Sequence, residues 1–263
     1  SSGLSCGAPP TARDKEVNQR LLRQCRSVED ILGVLTAEGP GTLNTFNQVT
    51  ALHRLSKTGL KLSRRKEVVV DDLIARVSSK IDEAPEVFTT RHLVNTAYSL
   101  GKMEATDERI FAAIAAASRP RLGEFNAQDI SNLTWAYATA EMQKNESCLE
   151  TLRLLPTHTQ RELRNFTSQG LSNTVWAFAT MGVDSPELMG HVASEGASRI
   201  DEYNAQELAN TAWAFAKSGA ENAGFLEAIA AAALGKLASF NAQNLTNTVW
   251  ALATAGVKSR DLF

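Results

Sequence analysis

Four triads of one amide pair and one large ring recur along this chain. They are Gln128, Asn132 and Trp135; Gln169, Asn173 and Trp176; Gln206, Asn210 and Trp213; and Gln243, Asn247 and Trp250. A weaker copy sets Arg91, Asn95 and Tyr98 at the same spacing. An amide carries both a donor and an acceptor, so it can bond the edge of a base or a phosphate oxygen. An indole offers a flat face on which an unpaired base can stack. Each group also has a structural use: the amide can satisfy backbone in a neighbouring unit, and the ring can fill a core. A position that reads a varying ligand should itself vary. The Asn column (Asn95, Asn132, Asn173, Asn210, Asn247) does not, which favours the structural ladder, and the Trp column favours packing. The Gln column (Gln128, Gln169, Gln206 and Gln243, with Arg91 in the weak copy) fits either use equally.

Two neighbouring columns do vary. One turn into the repeat stand His92, Asp129, Gly170, Glu207 and Asn244; near its end stand Lys102, Thr139, Thr180, Lys217 and Thr254. Their donor and acceptor character differs from copy to copy, as a base code requires and as unconstrained surface also allows. Charge is uneven as well. Arg54, Lys57, Lys61, Arg64, Arg65, Lys66, Arg76 and Lys80 face only three acids between residues 54 and 80, an excess of five positive charges. Phosphate neutralisation supplies most nonspecific RNA affinity, so the segment Lys61–Lys66 is the expected backbone grip, with a solvated charge run as the competing reading. Residues 201–263 carry a net charge of -2, and so does the whole chain, which argues against a broad polyanion-binding surface. Catalytic constellations are missing from the sequence. His53, His92, His158 and His191 have no cysteine or carboxylate at metal-ligand spacing, and no phosphate loop or nucleophile elbow occurs. A binder with no cofactor, no metal and no chemistry of its own is expected.

The elements that must position these groups follow from the repeat. Its aromatic anchors, Phe88, Phe125, Phe166, Tyr203 and Phe240, lie 37, 41, 37 and 37 residues apart. A fixed period of that size means a stacked array. After each anchor comes Asn or Thr, an N-cap residue, and five residues after the anchor an aliphatic: Leu93, Ile130, Leu171, Leu208 or Leu245. That is the spacing of a hydrophobic staple. At 100° per residue, Leu171, Val175 and Phe178 form one stripe of the helix, with Gln169, Asn173, Trp176 and Thr180 nearly opposite. Ser168, Ser172 and Ala179 leave a flank where a neighbouring helix can come close. Gly182, Gly219 and Gly256 end the helix. A second helix follows, opened by Ser185-Pro186 in one copy and formed by the Ala-rich run Gly224–Leu237 in the next.

The fold class expected is all-α, a right-handed α-solenoid of about six helix–turn–helix units of about 37 residues, some degenerate. Residues 1–14 read as a linker or processed remnant, 15–87 as degenerate helical repeats carrying the basic patch, and 88–263 as regular repeats. In the degenerate part, helices are expected over Lys15–Gln24, Ser27–Glu38, Leu43–Gly59 and Val68–Glu83, with His53 where Trp stands elsewhere. The last unit reads as lacking its second helix, so truncation or a covering protein is expected there. Cys6, Cys25 and Cys148 show no pairing pattern and fit a reducing compartment. No apolar run reaches the ~18–20 residues of a membrane span.

The strings Asn204-Ala-Gln-Glu-Leu-Ala-Asn-Thr-Ala-Trp-Ala-Phe-Ala216 and Asn241 to Ala253 resemble the repeats of octotricopeptide proteins. They are similar also to the heptatricopeptide repeats found beside RAP domains in organellar proteins. Leu52-His53-Arg54-Leu55-Ser56-Lys57 resembles the segment that often opens such arrays. The resemblance covers roughly residues 15–257 and recurs five times; a RAP domain is not part of it. It implies an organellar RNA-binding factor, mitochondrial or alternatively chloroplast, that holds single-stranded RNA or ribosomal RNA fragments, as in a ribosome-associated subunit. Candidate RNA contacts are then the basic residues Arg54 to Lys66 named above, the columns Gln128, Gln169, Gln206 and Gln243, and Arg91, His92, Lys102, Asp129, Glu207, Lys217 and Asn244. Two rivals remain. One is a protein scaffold in a large organellar assembly, with partners at the acidic C-terminal repeats. The other is an armadillo-like peptide binder, although Asn here precedes Trp by three residues instead of following it by one turn.

Overall fold

The computed structural model describes residues 9–220 and 222–257. The first eight residues of the expected linker, Cys6 and everything after Val257 lie outside the described residues. All regular structure among the described residues is helical, in line with the expected class. Helix α1 (Ala12–Gln19) runs on through a π-helical turn to Gln24, and α2 (Val28–Glu38) follows. The α1 helix starts three residues before the expected Lys15. Thr11 and Asp14 form a reciprocal capping box there, which stabilises a start at Ala12.

Helix pairs then succeed one another. The first helices are α3 (Thr45–Lys57), α5 (Thr90–Lys102), α7 (Ala127–Thr139), α9 (Ser168–Met181), α11 (Ala205–Ser218) and α13 (Ala242–Thr254). The second helices are α4 (Val68–Glu83), α6 (Glu108–Ser118), α8 (Glu146–Glu162), α10 (Pro186–Ser198) and α12 (Ala223–Gly235). Short 3-10 turns lead from the second helix to the next aromatic anchor, as Ile200–Glu202 leads to Tyr203. The chain forms two compact units: Ser1–Glu124 with Thr139–Thr151, and Phe125–Ala138 with Leu152–Phe263. Within the first unit α3 packs on α5 and α4 on α6; within the second α9 packs on α11, α11 on α13 and α10 on α12. First helices meet first helices and second helices meet second, which is the layering of a helical-repeat fold of the α-solenoid class.

Four of the five anchors do what their spacing requires, while at the fifth Phe240 is half-buried and its staple partner Leu245 is exposed. Phe88, Phe125, Phe166 and Tyr203 are buried, as are their staple partners Leu93, Ile130, Leu171 and Leu208. The capping oxygens of Thr89, Asn126, Thr167, Asn204 and Asn241 each accept from the amide three residues on. The small flank also serves as expected. Ser172 Oγ donates to the Glu207 carbonyl at 3.1 Å and Ser168 Oγ to that of Glu202 at 3.4 Å, so α9 lies close against the start of α11. All six first helices reverse through a left-handed residue. Gly59, Gly182, Gly219 and Gly256 supply it in four, while Glu104 (φ 57°) and Glu141 (φ 60°) stand in the strained position in the other two.

The Trp column does not fill the centre of the core. None of the four indoles is among the large, fully buried side chains; those places go to Phe88, Phe111, Phe125, Tyr137, Phe178, Tyr203 and Phe215. Tyr137, Phe178 and Phe215 follow their Trp by two residues, which turns them some 200° around the helix and into the core. Trp135, Trp176 and Trp213 are half-buried, and Trp250 is 44 % exposed.

Candidate nucleic-acid interface

In each first helix the Gln, Asn and Trp positions succeed one another at i, i+4 and i+7, hence on one face. Gln128, Gln169, Gln206 and Gln243 are exposed at the start of that face, and Arg91 occupies the same place on α5. Asn95, Asn132, Asn173, Asn210 and Asn247 are half-buried one turn on. Among the described residues no protein atom hydrogen-bonds any of these five amides, and none of their side-chain nitrogens or oxygens is sealed from solvent. The inter-repeat ladder favoured on sequence grounds is therefore not made; the work of stitching first helices falls to Ser168 and Ser172. Five amides stay open to solvent, each beside an indole or the Tyr98 ring one turn away. The indole N–H groups of Trp176 and Trp213 are likewise open and without a partner.

The variable columns divide. His92, Asp129, Gly170, Glu207 and Asn244 occupy the third helical position, where the backbone amide donates to the N-cap side chain. Asp129 and Glu207 also turn their carboxylates back to accept from the N-cap amides, at 3.2 and 2.9 Å, and His92 Nδ1 accepts from Thr89 at 3.4 Å. Glu207 and Asn244 are buried. At the end of the helix, Thr139 and Thr180 have buried hydroxyls, whereas Lys102, Lys217 and Thr254 are exposed.

Half of the basic segment is engaged with protein. Lys61 pairs with Glu104 at 3.0 Å and also donates to the Lys102 carbonyl at 2.9 Å. Arg65 pairs with Glu29 at 3.0 Å and with Glu67. Arg76 pairs with Asp72 at 2.9 Å. Arg54 donates to the Cys25 carbonyl at 2.6 Å. Arg64 and Lys66 are exposed, and Arg64 lies near enough to Glu104 to help hold its carboxyl below the usual range, after the hydrogen bonds from Ser63 and Lys61. Lys57, Arg91 and Lys102 are exposed, with no carboxylate partner among the described residues.

One recurrent pairing was not read from the sequence. Arg121, Arg161, Arg199 and Lys236 donate to the carbonyl oxygens of the anchors Phe88, Phe125, Phe166 and Tyr203, at 2.5, 2.9, 2.9 and 2.6 Å. The legible signal was a basic residue four or five places before each following anchor.

A cavity of about 460 Å³ opens in the first unit between the end of α4 and α6, lined by Ile81, Val87, Ala113 and Ala117 together with Asp82, Glu86 and the ion pair of Arg121 and Glu124. No cluster of His, Cys, Asp or Glu suited to a metal occurs among the described residues, and no described helix is long and apolar enough to cross a membrane.

Repeated helix pairs that set an amide and a ring on one face of five of the six first helices define a helical-repeat protein. The family model described as RNA-editing substrate-binding complex 6 protein matches residues 45–263, and the chain belongs to that family. No curated protein matches the chain.

Proposed function

We propose that this protein is a non-enzymatic, mitochondrial RNA-binding subunit that holds single-stranded RNA against the Gln–Asn–Trp faces of its first helices, with repeats of the octotricopeptide type. The observation that carries this reading is the column of unpartnered, solvent-open amides beside half-buried rings. A polar group left half-buried without a partner gives up part of its hydration and gains nothing in return. A bound strand restores the bond, and the adjacent ring offers a stacking surface. An amide that does not vary suits a contact common to every nucleotide, such as phosphate or ribose, better than a base code. The name of the family supports an editing substrate over ribosomal RNA as the ligand.

Filter binding with random single-stranded RNA at several salt concentrations tests this. The variant Asn173→Ala/Asn210→Ala is expected to bind about tenfold more weakly, since two hydrogen bonds of roughly 0.5–1.5 kcal/mol each are lost. Wild-type protein that retains no RNA at any salt concentration would sink the reading.

The rival is a protein scaffold within the complex that the family is named for. The apolar cavity between α4 and α6, with its charged rim, favours it, because an apolar recess with a few polar groups at its edge suits a partner side chain. Unaltered RNA binding by a variant with Ala113→Glu in the cavity, together with loss of a defined protein partner, is the outcome that separates the two roles.

A further inference from the structure

In the first unit, α3 and α5 lie side by side. They are pinned near their start by an edge-to-face contact of Phe46 and His92, with ring centroids 5.9 Å apart. His53 occupies on α3 the place that Trp holds in later repeats. Four cations bear on it: Arg54 and Lys57 from its own helix, Arg91 and Lys102 from α5. No acid counters them in that group. Its Nδ1 is buried and has no hydrogen-bond partner.

The contrast with the neighbouring charges is informative. Lys61, Arg65 and Arg76 each have a carboxylate, and Arg54 has a carbonyl. Lys57, Arg91 and Lys102 have neither among the described residues; Arg64 and Lys66 also lack one, but they lie on the connection between α3 and α4 and not on the face that carries the open amides. Cations set along one face without a counter-ion favour the approach of an anion. Phe46, 52 % exposed at the place of the Gln column, adds an open ring at the start of the same face, three turns before Lys57. A face that begins with a flat ring and carries three free cations along its length suits a nucleotide strand, with phosphate on the cations and base on the ring.

We infer that Lys57, Arg91 and Lys102, spaced along one face of α3 and α5 on either side of His53, form a phosphate-binding facet, with Phe46 as a stacking platform for a base at its start. This rests on the RNA-binding reading and deepens it. The grip on the phosphodiester backbone moves from the Lys61–Lys66 segment, where Lys61 and Arg65 are paired with carboxylates, to the exposed face of α3 and α5.

The test measures binding of a short oligouridylate across a salt series. It compares the wild-type chain, the variant Lys57→Ala/Arg91→Ala/Lys102→Ala, and the control Arg64→Ala/Arg65→Ala/Lys66→Ala. Each phosphate of a single strand that a protein cation neutralises releases counterions and contributes about 0.7 to the slope of log affinity against log salt. The facet variant should therefore lose about two from that slope and bind at least about tenfold more weakly at low salt. The control should change both by less. Replacing Lys57 and Lys102 by Arg should keep the slope, which separates charge from any loss of packing. If the wild type binds and the facet variant matches it in affinity and slope, the facet is wrong and the RNA reading stands. If the wild type binds no oligouridylate, both fall.

Discussion

Arg199 Nη2 donates to the carbonyl oxygen of Phe166 at 2.9 Å, joining the end of α10 to the residue that precedes α9. The carbonyl of Thr167 accepts from Leu171 inside the helix, but that of Phe166 lies one residue outside and has no helical partner. A cation 33 residues later supplies one, and Lys236 does the same for Tyr203. The latch closes each helix pair on itself. Arg199→Ala is expected to lower stability by about 1–2 kcal/mol, because a charge-assisted bond is lost and a screened carbonyl is left bare. Arg199→Lys should recover most of that. Chemical denaturation of both variants checks it, and equal loss in the two would show that the ammonium cannot replace the fork here.

Gly196 on α10 sits where a Cβ would come within 2.7 Å of Phe225 and 2.9 Å of the Tyr203 hydroxyl. Both rings are buried, so neither can yield freely. Gly196→Ala should cost about 1–3 kcal/mol through overpacking, despite the better helix propensity of Ala. A melting temperature equal to or above that of the wild type would count against the packing described for α10 and α12.

Glu141 holds a left-handed conformation, φ 60°, at a helix end where three later repeats carry glycine. A side chain there costs about 1 kcal/mol, partly returned by its smaller unfolded-state entropy. Glu141→Gly is therefore expected to be neutral or stabilising by up to about 1 kcal/mol, where most glycine substitutions destabilise. Clear destabilisation in denaturant titrations would contradict the strained geometry.

Burial holds the His53 imidazole below its ordinary pKa, helped by Lys57, Arg54, Lys102 and Arg91. Burial does the same for His92, with Arg91, and for His158, with Arg161. Their folded pKa values lie below the unfolded value of about 6.5, so the unfolded chain takes up protons first as pH falls. Stability should hold above pH 7 and decline as pH falls below about 6.5. The depressed carboxylates, such as Glu38 bonded by Arg13, keep their contribution until pH falls below about 4.3. Melting curves at pH 7.5 and 5.5 decide it, and His53→Gln should flatten the difference.

All four tryptophans lie in one column, and none of them is fully buried. Intrinsic fluorescence therefore reports on the proposed binding face alone. Stacking of bases on the indoles should quench the emission when oligouridylate is added, with saturation matching the binding isotherm. Saturable binding with unchanged emission would place the strand elsewhere.

Much of the repeat was legible because its determinants are local. The staple Phe166–Leu171, the caps at Thr167 and Asn204, the Ser185-Pro186 start and the left-handed Gly182 and Gly219 act within a few residues, and each appears where its spacing placed it. The period of 37 residues likewise required stacking, since no single helix pair can bury its own apolar stripe. Direction and partnership across repeats were beyond it. Whether Asn173 meets backbone or water depends on how far the next helix stands off, and Ser172 decided that by drawing Glu207 in on the adjacent flank. Whether Lys61 is free depends on Glu104, which stands after the end of α5 and far from it in sequence. Composition sets which charges and amides exist and local spacing sets the face they share. Only tertiary packing, by bringing distant carbonyls and carboxylates within bonding reach, decided which were used up inside the protein and which were left for a ligand.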